Sequence, residues 1–210
     1  MSHEAQHAPT VAVLERHVRA RVEALQMALL QDDHHAHSAT VARLARLRRV
    51  DADRPGDPAA WEVAFADLPT ELLGRSDEPS RAERAAHAAL VLFAAHIQSA
   101  DGRRHDNGRR LGLAVGALAR SAVVAQEDYA TTAVARRFRA FATATTWAQA
   151  LGHLRGLISQ LRAHDIAMDY GSLAADLYRM QTREGLRRAR LQWGRDFHYL
   201  TTDDSHAEEN

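Results

Sequence analysis

The sequence predicts an all-α protein, a compact bundle of about eight to nine helices. Apolar residues recur every three or four positions along most of the chain, and no run of β-branched and aromatic residues alternates with period two. Short segments rich in Asp, Gly and Pro separate the helical stretches. Because 46% of the 210 residues are hydrophobic but few are aromatic, the core must consist mainly of Leu, Val and Ala.

The first two helices are predicted within residues 10–50. Thr10 can cap the first helix, and its apolar residues recur at helical spacing. They are Val11, Leu14, Val18, Val22, Leu25 and Leu29. The polar segment QDDHHAHS ends this helix and is interpreted as an interhelical loop. A second helix then begins at Ser38 or Thr40 and ends at Val50.

Two further helices precede the clearest break in the chain. Asp57 followed by Pro58 is a helix cap with proline at the first helical position. Ser80 and Glu83 have the spacing of a capping box, so the next helix is predicted to begin after Ser80. This helix runs to about Ala100.

The segment DGRRHDNG, with its glycines, Asn and Asp, predicts a linker at residues 101–109. It divides the protein into an N-terminal helical lobe at 10–100 and a basic C-terminal helical lobe at 110–199. Five helices are predicted in the second lobe, at about 110–125, 131–143, 146–164, 170–181 and 183–199. Residues 1–9 and the acidic residues 200–210 are predicted to be disordered tails.

Charge is distributed unevenly along the chain. All 27 basic residues are arginine, and 27 acidic residues balance them. Residues 1–102 hold 11 Arg and 15 acids, a balance of −4, whereas residues 103–199 hold 16 Arg and 8 acids, a balance of +8. Residues 200–210 add four acids and no Arg, a balance of −4. A neutral total therefore conceals a basic C-terminal lobe, and each of its cations is a planar guanidinium suited to phosphate.

The composition excludes several classes of protein. Cysteine is absent, which excludes disulfides, thiolate catalysis and cysteine-ligated zinc. No stretch of about 18 apolar residues lacks charge, so no membrane span is predicted. No basic segment followed by an apolar one predicts a secretory signal, and a cytoplasmic location fits these features.

Two histidine-rich segments are candidate metal sites. HEAQH matches H-E-x-x-H, in which two histidines, here His3 and His7, bind zinc and the glutamate, Glu4, is the base. Its position next to Pro9 at the chain end and the lack of a third ligand favour a tail. The segment DDHHAH at residues 32–37 could surround a metal only as a loop, and a polar connection is preferred. No metal site is predicted.

No catalytic constellation is recognised either. No serine lies in G-x-S-x-G, and the glycines of RLGLAVGALA lie in a helical apolar run, where they are interpreted as packing positions. Asp176, Glu184 and Asp196 lie among arginines, where ion pairing is expected. These residues therefore predict no catalytic site and no cofactor.

Arginines on helices are the remaining candidates for function. In AVARRFRAF the apolar side chains share one face, while Arg136 and Arg139 point away from it and Arg137 lies at its flank. Similar clusters occur in LARLRRV, HLRGLISQLR and TREGLRRARLQWGR. A helix face with only positive charge favours an anion, and each phosphate contact adds salt-dependent affinity that is independent of base sequence. No base-reading module is recognised.

The order of these stretches resembles the CasB family, the small subunit of the type I-E CRISPR surveillance complex Cascade. LARLRRV, AAHAALVLFAAH, RRLGLAVGALA, AVARRFRAF, HLRGLI, IAMDYGSLAADLYRM and ARLQWGRDFHY carry the resemblance, from about residue 40 to 199. It implies a compact all-helical protein without enzymatic activity, present as two head-to-tail copies beside the backbone and large subunits. It also implies binding of DNA and guide RNA with little sequence preference, including the displaced DNA strand.

The resemblance also implies which arginines line the nucleic-acid path. By position they are Arg48 and Arg49 of LRRV, Arg110, Arg136 and Arg137 of RRF, and Arg155 of LRGL. Helix position alone adds Arg120 and Arg139. Contacts to backbones are expected to matter because an RNA-guided complex exchanges a DNA duplex for a heteroduplex of similar stability.

Two other functions remain open. One is a helical scaffold whose arginines form salt bridges between proteins and bind DNA only incidentally. The other is a zinc-dependent hydrolase built on His3, Glu4 and His7.

Overall fold

The computed structural model describes residues 2–31, 33–100, 102–123 and 128–199, with side chains from residue 10 onward. In this part of the chain the fold is all-α, which confirms the predicted class. Its helices are α1 (Ser2–Leu30), α2 (His34–Leu47), α3 (Pro58–Ala64), α4 (Arg81–His96), α5 (Leu111–Ser121), α6 (Ala133–Thr143), α7 (Trp147–Ala163), α8 (Tyr170–Arg179) and α9 (Arg183–His198). Two 3₁₀ turns lie at Thr70–Leu72 and Tyr129–Thr131.

Polar caps fix where the helices begin. Ser80 and Glu83 form the predicted capping box: the Ser80 backbone N–H donates to Glu83 Oε2 over 2.6 Å, and the Glu83 N–H donates to Ser80 Oγ over 3.0 Å. Asp57 caps α3 ahead of Pro58, as predicted. The caps of α6 and α7 are Thr132 and Thr146, whose side chains accept from the N–H groups of Ala135 and Gln149.

Three expectations about the connections and ends need comment. The histidine-rich stretch predicted as a loop is the first turn of α2, because Asp33 caps that helix by accepting from the N–H groups of His35 and Ala36. The backbone of α1 is helical from Ser2, across the stretch predicted as a tail. The side chains of His3, Glu4 and His7, and the whole of 200–210, lie outside the described residues.

The core is built around α4. Every residue from Ala85 to Ala94 is buried, and α1, α2, α3, α7 and α8 pack around this helix. Many of its buried residues are alanine, which lets neighbouring helices approach closely. A second group of large side chains joins α6 to α9, where the rings of Phe141 and Trp193 lie 4.8 Å apart between centroids.

The segment predicted as a linker is tied to helices on both sides of it. The Oε1 atom of Gln26, in α1, accepts from the backbone N–H groups of Arg104 and His105, each over 2.8 Å. Asp169, the cap of α8, accepts from the N–H of Gly108 over 3.1 Å. One core cluster spans both predicted lobes, and the division at residues 101–109 stays a sequence-based prediction.

Within the described ranges, no helix is long and apolar enough to cross a membrane.

Candidate nucleic-acid interface

The eight predicted arginines differ in what their guanidinium groups contact. Arg110 binds Asp196 of α9 with two hydrogen bonds, from Nε to Oδ2 over 2.9 Å and from Nη2 to Oδ1 over 2.8 Å. This pairing raises the pKa of the Arg110 guanidinium, because the hydrogen bond to Asp196 favours its charged form. Asp196 is only 4% exposed, whereas the Arg110 side chain is 45% exposed, so the pair connects α5 and α9 from the surface and places a carboxylate against the Arg110 charge.

Arg120 also contacts the end of α9. Its Nη1 donates to the carbonyl oxygen of Phe197 over 3.3 Å, and its Cζ lies 5.8 Å from the centroid of the Tyr129 ring. Gly116, one turn earlier in α5, makes room for this contact, because a Cβ there would lie 2.6 Å from the same carbonyl oxygen. Arg120 therefore helps to hold α9 against α5.

Arg136 and Arg139 contact the turn that precedes α6. Arg136 Nη1 donates to the carbonyl oxygen of Thr131 over 2.6 Å, and Arg139 Nη1 donates to that of Ala130 over 2.8 Å. Both side chains are exposed. Carbonyl oxygens orient the two guanidinium groups but do not cancel their charge, so this surface of α6 stays positive.

Arg137 leaves α6 on a different side and lies across α7. An ideal Cβ built on Gly156 would be 2.9 Å from the Arg137 Cζ atom and 3.1 Å from its Cδ atom, so the side chain rests on the backbone of α7. Arg155, the residue before Gly156, is exposed. The motifs RRF and LRGL are therefore brought together at the contact between α6 and α7.

At the far end of α7, Arg162 lies near the end of α2. Its Nη1 donates to the carbonyl oxygen of Ala95 over 3.3 Å and to Oε1 of Gln98 over 3.1 Å. Burial lowers the pKa of Arg48, and the nearby charges of Arg162 and Arg49 lower it further. The charges of Arg162 and Arg49 are therefore close enough to Arg48 to disfavour its charged form.

Five arginines lie on α7 or beside it, and we call this group the α7 arginine row: Arg155 and Arg162 on α7, Arg137 against Gly156, and Arg48 and Arg49 in the turn after α2, with Arg48 near Arg162. Arg155 and Arg162 are seven residues apart, so they lie on nearly the same side of α7, about 10 Å apart along its axis. Among the described residues, no carboxylate forms an ion pair with any member of the row. A row of guanidinium groups without acid partners can bind successive anionic groups.

Arginines elsewhere do have acid partners. Arg43 and Arg46, in the same stretch as Arg48, pair with Glu62 of α3 over 2.6 and 3.6 Å. In α9, Glu184 binds Arg187 over 2.8 Å, and it also pairs with Arg188. The expected ion pairing of Asp176, Glu184 and Asp196 is confirmed.

Arg162 is the last residue of the cluster HLRGLISQLR, but it is not among the eight arginines predicted from the sequence. The signal was available, because its spacing of seven from Arg155 predicts a shared helix side. What the sequence did not reveal is that the end of α2 would bring Arg48 to the same place.

The described residues contain no group of three or more His, Asp or Glu side chains that could hold a metal ion. The buried imidazole of His96 hydrogen-bonds the Tyr170 hydroxyl over 2.9 Å, and burial lowers its pKa to about 3. Burial raises the pKa of Asp176 to about 6, although Trp193 and Arg179 donate hydrogen bonds to it over 2.7 and 3.0 Å. Both groups connect helices inside the core.

Comparison with known proteins gives a consistent result. Residues 43–198 match the family model described as CRISPR-associated protein Cse2. The structure is similar to the crystal structure of CasB from Thermobifida fusca, with a TM-score of 0.69 and 32% sequence identity, over 89% of this chain and 98% of that one. No curated protein sequence matches the chain. The matched range contains all five arginines of the α7 arginine row.

Proposed function

The chain belongs to the CRISPR-associated Cse2 family, the CasB subunits of the Cascade complex, and from this premise we propose that it binds nucleic-acid backbones through the α7 arginine row. The proposed ligands are the displaced and target DNA strands and the guide RNA, bound without sequence specificity. These contacts stabilise the loop of displaced DNA during antiviral interference. The observation that supports this function is that arginines from α6, α7 and the turn after α2 lie on or beside α7 without acid partners among the described residues.

The physical reason is electrostatic. Each arginine that neutralises a phosphate releases a condensed counterion, so five contacts would give a salt slope of about −4.5 on B-DNA and about −3.5 on a single strand. Replacing a DNA duplex by a heteroduplex is nearly balanced in free energy. A few backbone contacts are therefore enough to favour the opened state, and none of them requires a base-specific hydrogen bond.

The other predicted arginines receive different roles in this proposal. Arg136 and Arg139 form a secondary contact, because the carbonyl groups they bind already use some of their donors. Arg110 and Arg120 hold α9 in place and support the interface only indirectly.

Within the complex, we propose two head-to-tail copies of the chain beside the backbone and large subunits, as the family resemblance implies. The chain carries out no chemical step itself and takes no cofactor in this role. A cytoplasmic location is part of the same proposal, because the nucleic acids that it would bind are found there.

A scaffold function is the second candidate. Several large apolar side chains near the connection between α1 and α2 are about two-fifths exposed, namely Met27, Leu30 and Val41 at 42%, 44% and 43%. Exposed apolar side chains that form a contiguous patch are typical of contacts between proteins. In this alternative the arginines form salt bridges to other subunits, and DNA binding is incidental.

A paired set of double variants separates the two functions. Arg137→Ala with Arg155→Ala is expected to weaken binding of single-stranded DNA by roughly tenfold or more for every base sequence and to flatten the salt slope by up to about two. The matched control, Arg43→Ala with Arg46→Ala, removes the same formal charge from arginines that already pair with Glu62. Unchanged DNA affinity in the first variant, together with lost assembly into Cascade, would support the scaffold instead.

A further inference from the structure

Helix α7 contains two interior glycines whose surroundings differ. Glycine is the least favourable helix-interior residue after proline, so each of them needs a reason. A Cβ added at Gly152 would meet no atom within 4 Å, whereas one added at Gly156 would meet the Arg137 guanidinium. Only Gly156 therefore has a contact that a side chain would block.

The contact at Gly156 involves most of the Arg137 side chain. An ideal Cβ on Gly156 would lie 2.9 Å from the Arg137 Cζ atom and 3.1 Å from its Cδ atom. Both the stem and the charged end of Arg137 therefore lie against α7. No acid among the described residues draws the guanidinium there. The Arg137 guanidinium lies against the backbone of α7 at Gly156, and Arg155 is the residue directly before this glycine.

We infer that Gly156 is a positioning residue for nucleic-acid binding: its missing side chain lets the Arg137 guanidinium lie against α7 beside Arg155, so that charges from two helices meet one sugar-phosphate backbone at a fixed spacing. This role rests on the proposed function and deepens it. An arginine that is already packed in place loses less freedom when it binds a phosphate. Gly156 is therefore expected to increase the affinity for nucleic acid without increasing the stability of the fold.

The test measures binding of a fluorescent single-stranded DNA of mixed sequence by the full chain, as salt is raised. Gly156→Ala is expected to weaken binding about threefold to fivefold, a fraction of the tenfold loss that corresponds to one strong contact. Gly152→Ala is the matched control, with the same chemical change one turn away, and its affinity is expected to equal that of the parent. Both variants are expected to melt at or above the parental temperature, because alanine favours the helix and the displaced group is a flexible side-chain end.

A double-mutant cycle identifies the route of the effect. If Gly156 acts through Arg137, adding Gly156→Ala to Arg137→Ala will cause no further loss of affinity. An equal loss in both backgrounds would overturn the inference. Loss in Arg137→Ala with none in Gly156→Ala would also overturn it but leave the proposed function standing. Unchanged binding in Arg137→Ala would overturn both.

Discussion

Two arginine-rich regions of this protein use the same side chain in opposite ways. Two buried carboxylates hold α9 in place, and we call them the α9 anchor: Asp196 of α9 and Asp176 of α8, which accepts from Trp193 of α9. Arg110 and Arg179 bind these carboxylates. In the α7 arginine row, no carboxylate among the described residues pairs with any member. The difference teaches that the number of arginines in a segment does not indicate its function. What distinguishes the two regions is whether an acid reaches each guanidinium, and our proposal assigns binding to the arginines that no acid reaches among the described residues.

The largest effect is expected from Arg110→Ala, at the anchor. This variant leaves the buried Asp196 carboxylate with a single side-chain donor, Gln192 Nε2 at 2.8 Å, and should lower the free energy of unfolding by about 2–4 kcal/mol. Chemical denaturation of the parent and the variant measures this difference. If stability stayed the same while DNA affinity fell, Arg110 would belong with the binding arginines and the comparison would break.

The second largest effect is a pH dependence of the free energy of unfolding, which comes from Asp176. Burial raises the pKa of Asp176 from 3.8 to about 6, so the folded state holds this proton more tightly than the unfolded state does. The free energy of unfolding should therefore fall as the pH rises from about 4 to about 6, by up to roughly 2–3 kcal/mol from this group.

Asp176→Asn tests this assignment, because asparagine cannot ionise but can still accept from Trp193. The variant should lose that part of the pH dependence when stability is compared with the parent between pH 4 and pH 7. A parental curve that instead rises with pH relative to the variant would show that Asp176 is stabilised as the carboxylate.

Arg162→Ala, in the α7 arginine row, is expected to change stability less than the variants above and to weaken DNA binding instead. Its hydrogen bonds to Ala95 and Gln98 are partly exposed, so stability should change by less than about 1 kcal/mol. DNA affinity should fall by roughly fivefold to tenfold, with a salt slope flatter by about one. Fluorescence anisotropy at several salt concentrations measures both quantities. A loss of stability without a loss of affinity would move Arg162 to the group of folding residues.

Much of the fold could be predicted from the sequence because its determinants are local. The helices α5 to α9 begin close to the predicted positions, since capping residues and apolar spacing act within one or two turns. The prediction of a loop at QDDHHAHS is wrong, and the reason is also local. There Asp33 is an effective cap, and the three histidines after it do not prevent helix formation.

The candidate site was less predictable, because its determinants are not local. Arg110 and Arg137 both lie next to apolar helical runs, and nothing in the sequence distinguishes them. One meets Asp196, which is 86 residues away, and the other meets Gly156 on a neighbouring helix. The spacing of Arg155 and Arg162 is evident in the sequence, but the proximity of Arg162 to Arg48 depends on how α2 packs over α4.

The salt dependence of DNA binding tests most directly whether the α7 arginine row carries this function. One triple variant changes Arg48, Arg137 and Arg155 to glutamine, and a charge-matched variant changes the paired Arg43, Arg46 and Arg187 to glutamine. If the row binds phosphates, the plot of log affinity against log salt should flatten by about two to three in the first variant and by less than one in the second. Equal slopes in the two variants would contradict the central claim, because affinity would then follow net charge alone.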